Sequence, residues 1–371
     1  MPDPEQRRRS PLRRALLLAL AVALAVGGLG AGGPCAAGSR ALNELLDRKG
    51  LKVMAEASLR GPAGDASAAL PYASAAELEA LTRPPPRAPV VARAPLGRFL
   101  LDDDGLTQEV ITFASAIPLA HAESNTATAY VYRHGRLGDR PVVVWVPGQY
   151  VVPLAFVPIS WFTREIVRRG ADVVLLMPPY HLERAPRGFD SGDAVFATSL
   201  PDHLRVFAQE LSDLRRLVAW LRAQGAPRVG GFGGSVGAML LLRMATWEAS
   251  LDFLTVFIPM LHLDEVLGRP EAEPMRRRLR AEGRSVEELA RVYAALDPSP
   301  GRPRIDPARV SVLYGRYDLI APAAPTLAWA RDWGVTRVHA YDRGHSLALF
   351  TRRMYGDYAR LLDEDLRALG Y

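Results

Sequence analysis

The sequence predicts an α/β fold, a mostly parallel sheet with helices on both of its faces. Two observations carry that reading. Short runs that are apolar at nearly every position, Val142 to Val146 foremost, suit strands buried on both faces. Between such runs lie segments with apolar residues at three- and four-residue steps. Strand–helix alternation of this kind implies parallel strands joined by crossover helices. The 371 residues suffice for one large domain or two modest ones. A composition of 49% hydrophobic and 23% charged residues is globular and excludes a disordered chain.

The elements follow in order from Gln108. Val110 to Phe113 and Thr126 to Tyr132 suit an antiparallel pair opening the domain. Val142 to Val146 ends at Pro147-Gly148, and a helix over Trp161 to Arg169 is closed by Gly170. Ala171 to Met177 is the next buried strand. Pro201 opens a strong helix whose Leu204, Phe207, Ala208, Leu211, Leu214, Val218 and Leu221 share one face, ending at Gly225. Arg228 to Phe232 is a short strand, Val236 to Trp247 a helix and Phe253 to Ile258 a strand. Val310 to Tyr314 and Arg337 to Tyr341 are the last strands, with a helix near Ala324 to Trp333 between them and a final helix over Ala348 to Leu369. An insertion at about 262–307 carries a basic run, Met275 to Arg280, and a helix capped by Ser285 and Glu288. Those arginines read as a solvated charged face, with a lid or a contact to acidic headgroups as the functional alternative.

Ahead of the domain at 107–371 lie two further segments. Residues 1–37 read as an export signal: Arg7, Arg8, Arg9, Arg13 and Arg14 precede the apolar run Ala15 to Val26, and Cys35-Ala36-Ala37 offers a small-x-small cleavage site. An uncleaved anchor in the inner membrane is the alternative, because the run lengthens if Leu29 and the glycines are included. Residues 38–106 read as an Ala/Pro-rich leader without chemistry, carrying short helices, one of them capped by Ser74 and Glu77 and stopped by Pro84. Half of the net charge of +6 sits in the export segment, and the remainder is too little for a phosphate-binding surface, so no nucleic-acid partner is expected. The single cysteine, Cys35, leaves the body without a disulfide, a thiol nucleophile or a cysteine metal site.

The sharpest motif is Gly233-Gly234-Ser235-Val236-Gly237, on the turn from a strand into a helix. So tight a turn needs small residues around the serine and lifts its hydroxyl clear of the sheet, at a helix N-terminus that favours negative charge. A dinucleotide fingerprint built on Gly231, Gly233 and Gly237 fails on spacing, and a P-loop fails because no lysine follows Lys52. A serine nucleophile needs a base, and the base an orienting carboxylate. His345 follows the last strand, and Asp318 follows the strand before it. Asp264, after Phe253 to Ile258, is the rival carboxylate, whereas Asp342 precedes the histidine in its own loop and should point elsewhere.

With Ser235, Asp318 and His345 in that order, the stretch from about Pro141 to the C-terminus resembles the α/β-hydrolase superfamily. The Gly-x-Ser-x-Gly elbow, Gly315-Arg316-Tyr317-Asp318 and Gly344-His345 carry the resemblance, although Gly234 stands where a larger residue is commoner. More narrowly, the chain looks like the family of α/β-hydrolase domain-containing protein 18. The similarity lies in Pro178-Pro179-Tyr180-His181-Leu182-Glu183-Arg184-Ala185-Pro186 and in Gly344-His345 with Phe350.

The resemblance implies an α/β-hydrolase fold with a lid-like insertion and a serine hydrolase acting on a small-molecule or lipid acyl ester, with possible membrane-surface contact. The mechanism asks for two oxyanion donors, the backbone N–H groups of Val236 and Gln149, with Gly148 letting the backbone approach the substrate. Tyr180 and Arg184 are expected on the acyl or leaving-group side, and His181 with them or at the surface. His121, His134, His203, His262 and His339 show no metal-ligand spacing, so neither metal nor cofactor is expected. A catalytically silent fold that binds a lipid or a partner is the alternative function.

Overall fold

The computed structural model describes residues 39–61, 68–85, 89–97, 99–103, 105–151 and 153–371. The expected export signal, with Cys35, lies outside the described residues. A nine-stranded sheet runs through the molecule in the order β1-β2-β3-β5-β4-β6-β7-β8-β9. Its strands are β1 (Ala92–Pro95), β2 (Thr107–Ala114), β3 (Thr126–Arg133), β4 (Val142–Val146), β5 (Asp172–Leu176), β6 (Val229–Gly234), β7 (Phe253–Phe257), β8 (Val310–Gly315) and β9 (Arg337–Tyr341). The first three are antiparallel, and β3 meets β5 antiparallel, whereas β5, β4, β6, β7, β8 and β9 are mutually parallel. The architecture is that of an α/β fold with a mostly parallel sheet.

The pleat divides the core. Val142, Val144 and Val146 of β4 face one layer, and Val143 and Trp145 face the other. Among the described residues, nine helices of eight or more residues cover the sheet or its ends: α1 (Arg40–Ala57), α2 (Ala75–Thr82), α3 (Phe156–Arg168), α4 (Leu200–Ala223), α5 (Val236–Trp247), α6 (Glu273–Ala281), α7 (Val286–Leu296), α8 (Ala323–Trp333) and α9 (Arg352–Ala368). Helices α4, α5, α7 and α8 bury leucines and tryptophans against the first layer. Phe162 of α3 and Tyr358 of α9 close the second around Phe232 of β6. Ser199 caps α4 by accepting the Asp202 N–H, Pro201 sits in its first turn, and Ser285 caps α7 by accepting the Glu288 N–H.

Two findings differ from the sequence expectation. The stretch read as a leader supplies an edge strand, β1, and an 18-residue helix, α1, not short helices alone. Asn43, Asp47, Leu51 and Ala55, four residues apart, are all buried on one face of α1, and the two polar members hide the apolar stripe from a periodicity count. The arginines of the insertion are a solvated face only in part: Arg277 and Arg280 are exposed, whereas Arg276 and Arg278 are not. Arg278 is buried and donates to Ser58 O at 2.7 Å, to Gly61 O at 2.9 Å and to Glu282. Arg276 and Arg280 both reach Glu273, while Arg284 reaches Glu288 and Ala68 O. Arg278, with Arg284 beyond the run, therefore ties the insertion to the N-terminal segment, while Arg276 and Arg280 pair within the insertion.

Helix α5 lies so close to β4 that a Cβ at Gly237 would stand 2.1 Å from Val146 O and 2.5 Å from Pro147 O, both backbone atoms. Gly237→Ala is therefore expected to lower unfolding free energy by about 1–3 kcal/mol, the range of overpacking in a filled core, and denaturant titration measures it. An unchanged midpoint would contradict the packing described.

Candidate active site

The turn from β6 to α5 holds Ser235 at φ 52°, ψ −118°, a conformation that an L-residue keeps only under constraint. Its N–H donates to Phe257 O at 3.1 Å, and its carbonyl accepts from Met239 N and Met260 N, both at 3.1 Å. Gly234 has no room for a side chain, because a Cβ there would meet the Phe257 ring at 2.2 Å. That ring accounts for the departure from the commoner larger residue.

Three side chains meet at the C-terminal ends of the parallel strands. His345 Nε2 lies 2.9 Å from Ser235 Oγ, and His345 Nδ1 lies 2.8 Å from Asp318 Oδ2. A carboxylate can only accept, so Nδ1–H donates to Asp318 and Nε2 is left to accept the serine hydroxyl. Asp318 is buried, and its other oxygen accepts from Ile320 N at 2.8 Å and Ala321 N at 2.6 Å, which fixes the carboxylate plane. Burial alone would lower the His345 pKa, but the charge and hydrogen bond of Asp318, helped by the charge of Asp47, outweigh it and raise the pKa. Asp264 sits exposed on the one-turn helix Leu263–Leu267, and Asp342 pairs with Arg316 at 2.7 Å on the surface.

The expected oxyanion donors belong to two elements. Val236 is the first residue of α5, where an N–H has no intrahelical acceptor. Gly148 and Gln149 lie on the loop after β4, and Gly148 backs directly onto Ser235: a Cβ there would stand 2.8 Å from Ser235 Cβ. That loop is held by His181. Tyr150, at φ 64°, donates its N–H to His181 Nε2 at 2.8 Å, and His181 Nδ1–H donates to Pro179 O at 2.7 Å. Burial lowers the His181 pKa to about 4, so the ring stays neutral and keeps Nε2 as an acceptor. The Gln149 side chain reaches Glu210 Oε2 at 3.4 Å on α4, where burial raises the carboxyl pKa to about 8.

Tyr180 and Arg184 are not placed to meet substrate. Arg184 is 1% exposed and donates to Met177 O, Ser124 O, Gln209 and Asp213 at 2.7–2.9 Å. Tyr180 is fully buried at φ 64° among Leu119, Ala194, Val195 and Val206. The proline–tyrosine segment works as a structural turn behind the site, and His181 is its inner end, not a surface residue. Sequence reasoning also missed Asn43 and Asp47 of α1, which contact the histidine loop. Their four-residue spacing on an otherwise apolar helix face was the available signal. Among the described residues no cluster of three or more His, Cys, Asp or Glu could hold a metal ion, and no helix is long and apolar enough to cross a membrane.

No family model matches the chain. The chain resembles an acetyl xylan esterase from Thermoanaerobacterium sp. JW/SL YS485, with a TM-score of 0.54 and 16% identity over 78% of this chain and 93% of that one. It also resembles an acetyl xylan esterase from Paenibacillus sp. R4, with a TM-score of 0.53 and 13% identity over 83% and 98%. The fold is that of an α/β-hydrolase. An uncharacterised protein of Mycobacterium tuberculosis, present in strains CDC 1551 and H37Rv, is 26% identical over 281 residues. The match covers 71% of this chain and spans 64% of the length of those relatives. Within the α/β-hydrolase fold, Arg184 lies beneath the site as a buried tie. Arg184→Ala should thus cost about 3–5 kcal/mol of stability by stranding the Asp213 carboxylate. Thermal unfolding read beside KM would show a selective rise in KM instead if Arg184 met substrate.

Proposed function

We propose that the protein is an exported serine hydrolase that cleaves an acyl ester. The observation that carries this reading is the relay from Asp318 through His345 to Ser235, with both links under 3 Å, on a strained turn at a helix N-terminus. His345 Nε2 takes the hydroxyl proton as Ser235 Oγ attacks the ester carbonyl. The N–H groups of Val236 and Gln149 meet the oxyanion that forms, and Asp318 holds the imidazole tautomer and stabilises the imidazolium. His345 then passes its proton to the leaving alcohol. A water, deprotonated by His345, attacks the acyl-enzyme and releases the acid and the free serine.

An ester is put before a thioester or an amide because the two acetyl xylan esterases named above share the fold. The narrower similarity of the Pro178 to Pro186 segment to α/β-hydrolase domain-containing protein 18 is the reason to include lipid acyl esters among the substrates. Export rests on the basic and apolar pattern of residues 1–37.

A hydrolysis screen across acyl esters of increasing chain length tests the reading. Wild-type protein should turn over at least one series, and folded Ser235→Ala should lose roughly 10⁴- to 10⁶-fold in turnover. Near-normal activity in that variant, or a folded wild-type protein that also ignores a fluorophosphonate probe, would leave only a silent binding fold. The pH dependence has a definite sign. Only neutral His345 can accept the proton and its pKa is raised, so kcat/KM should fall on the acid side with a midpoint above the ordinary histidine value of about 6.5. A midpoint well below that value would mean that Asp318 does not support the base.

A further inference from the structure

Helix α1 reaches from the N-terminal segment to the far ends of β8 and β9. Its Asp47 is fully buried and receives three backbone donors: Leu319 N at 3.0 Å and His345 N at 2.9 Å on Oδ2, and Ser346 N at 2.9 Å on Oδ1. One turn earlier, the equally buried Asn43 accepts the Gly344 N–H at 2.7 Å, and its amide donates back to Ser39 O at 3.0 Å. The fit is close, since a Cβ on Gly344 would stand 2.7 Å from Asp47 Oδ2. Leu42 and Leu46 pack beside these bonds on Leu347 and Phe350. Four N–H groups of the two loops that carry Asp318 and His345, that of Leu319 and those of the consecutive Gly344, His345 and Ser346, therefore end on one helix outside the parallel sheet.

We propose that Asp47, seconded by Asn43, is a positioning residue for the reaction at Ser235, tying the Asp318 loop and the His345 loop to each other through a single carboxylate. The proposal rests on the serine hydrolase reading and deepens it. The physical case is one of satisfaction and geometry. The donors lie at strand ends where no further strand can receive them, and buried N–H groups without acceptors cost about 1–3 kcal/mol each. A carboxylate that accepts three of them is a charge-assisted clamp. Since Oδ2 is shared by Leu319 and His345, a shift of either loop breaks its own bond or drags the carboxylate that holds the other. The separation between Asp318 Oδ2 and His345 Nδ1 is thereby set from outside the pair. Asp47 also places a second negative charge near the imidazole. The groups that face His345 are then Asp47 from α1, Asp318 from the β8 loop and the Ser235 hydroxyl from the elbow, whereas Asp342 and Arg316 pair with each other on the surface.

The test uses the full chain and the variant Asp47→Asn, which keeps one accepting oxygen but turns an amide N–H toward a backbone donor. Fluorophosphonate labelling of Ser235 and ester turnover should both slow by about 10- to 100-fold, with KM within about 2-fold, as expected when catalytic groups are misplaced and binding is not. The midpoint of the labelling rate against pH should move down, because a charge that favours the imidazolium is gone. Amide hydrogen exchange should quicken in the segments 316–321 and 343–348 and not elsewhere. Lys52→Ala, at an exposed position of the same helix, should leave every reading at the wild-type value. A folded Asp47→Asn protein with wild-type rate, midpoint and exchange overturns the proposal. Should that variant not fold, Asn43→Ala decides: local quickening of exchange at Gly344 with a slower labelling rate supports the tie, and wild-type behaviour overturns it. Wild-type protein that leaves Ser235 unlabelled sinks the hydrolase reading, while exchange still reports whether the helix holds the two loops.

Discussion

Ser235 at φ 52°, ψ −118° stores about 1–3 kcal/mol of backbone strain, and the rest of the structure has to hold it there. The constraint is reciprocal. The turn can be that sharp only if α5 comes down directly on the end of β4, and α5 can do so only because Gly237 presents no side chain to Val146 O. Register follows from this contact. Val146 pairs with Gly233, so the end of β4, the elbow and the loop that begins at Pro147 are fixed as one block. Ser235 and the expected oxyanion donors thus share a rigid base, while Asp318 and His345 arrive on separate loops and must be brought to it.

Buried polar groups do most of that bringing. His181 holds the Tyr150 N–H as a neutral acceptor, Asp318 is itself pinned by Ile320 N and Ala321 N, and Asp47 collects the donors between the last two loops. Each of these side chains accepts backbone N–H groups that strand ends and tight turns leave over. Apolar packing alone could not do this, because it is non-directional and tolerates sliding by fractions of an ångström. Directed acceptors do not tolerate it. Their cost is desolvation, visible in the lowered pKa of His181 and the raised pKa of Asp47.

The parallel strands were legible because apolar runs such as Val142 to Val146 have no other use in a chain of this composition. The elbow was legible because three glycines around one serine are a steric demand written directly into the sequence. Asp318 and His345 could be placed because each follows a strand immediately. What stayed hidden has one physical type: polar side chains that serve backbone groups distant in sequence. Asp47 lies 298 residues from the His345 N–H it accepts, and no periodicity or motif encodes such a pairing. Arg184 shows the converse, for its charge invited a binding role that its burial against Asp213 removes. Arg278 of α6 likewise reads as part of a solvated run, yet carbonyls of the N-terminal segment receive it.

The empty position at Gly234 has a consequence for how such sequences can drift. Its missing side chain is occupied from across the sheet by the ring of Phe257, the residue whose carbonyl also accepts the Ser235 N–H. Positions 234 and 257 therefore share one volume, and a larger residue at 234 needs the ring at 257 to move or shrink. A small residue at 257 with glycine kept at 234 would leave that volume empty against the elbow, so the size of the residue at the end of β7 sets how much space stands beside Ser235.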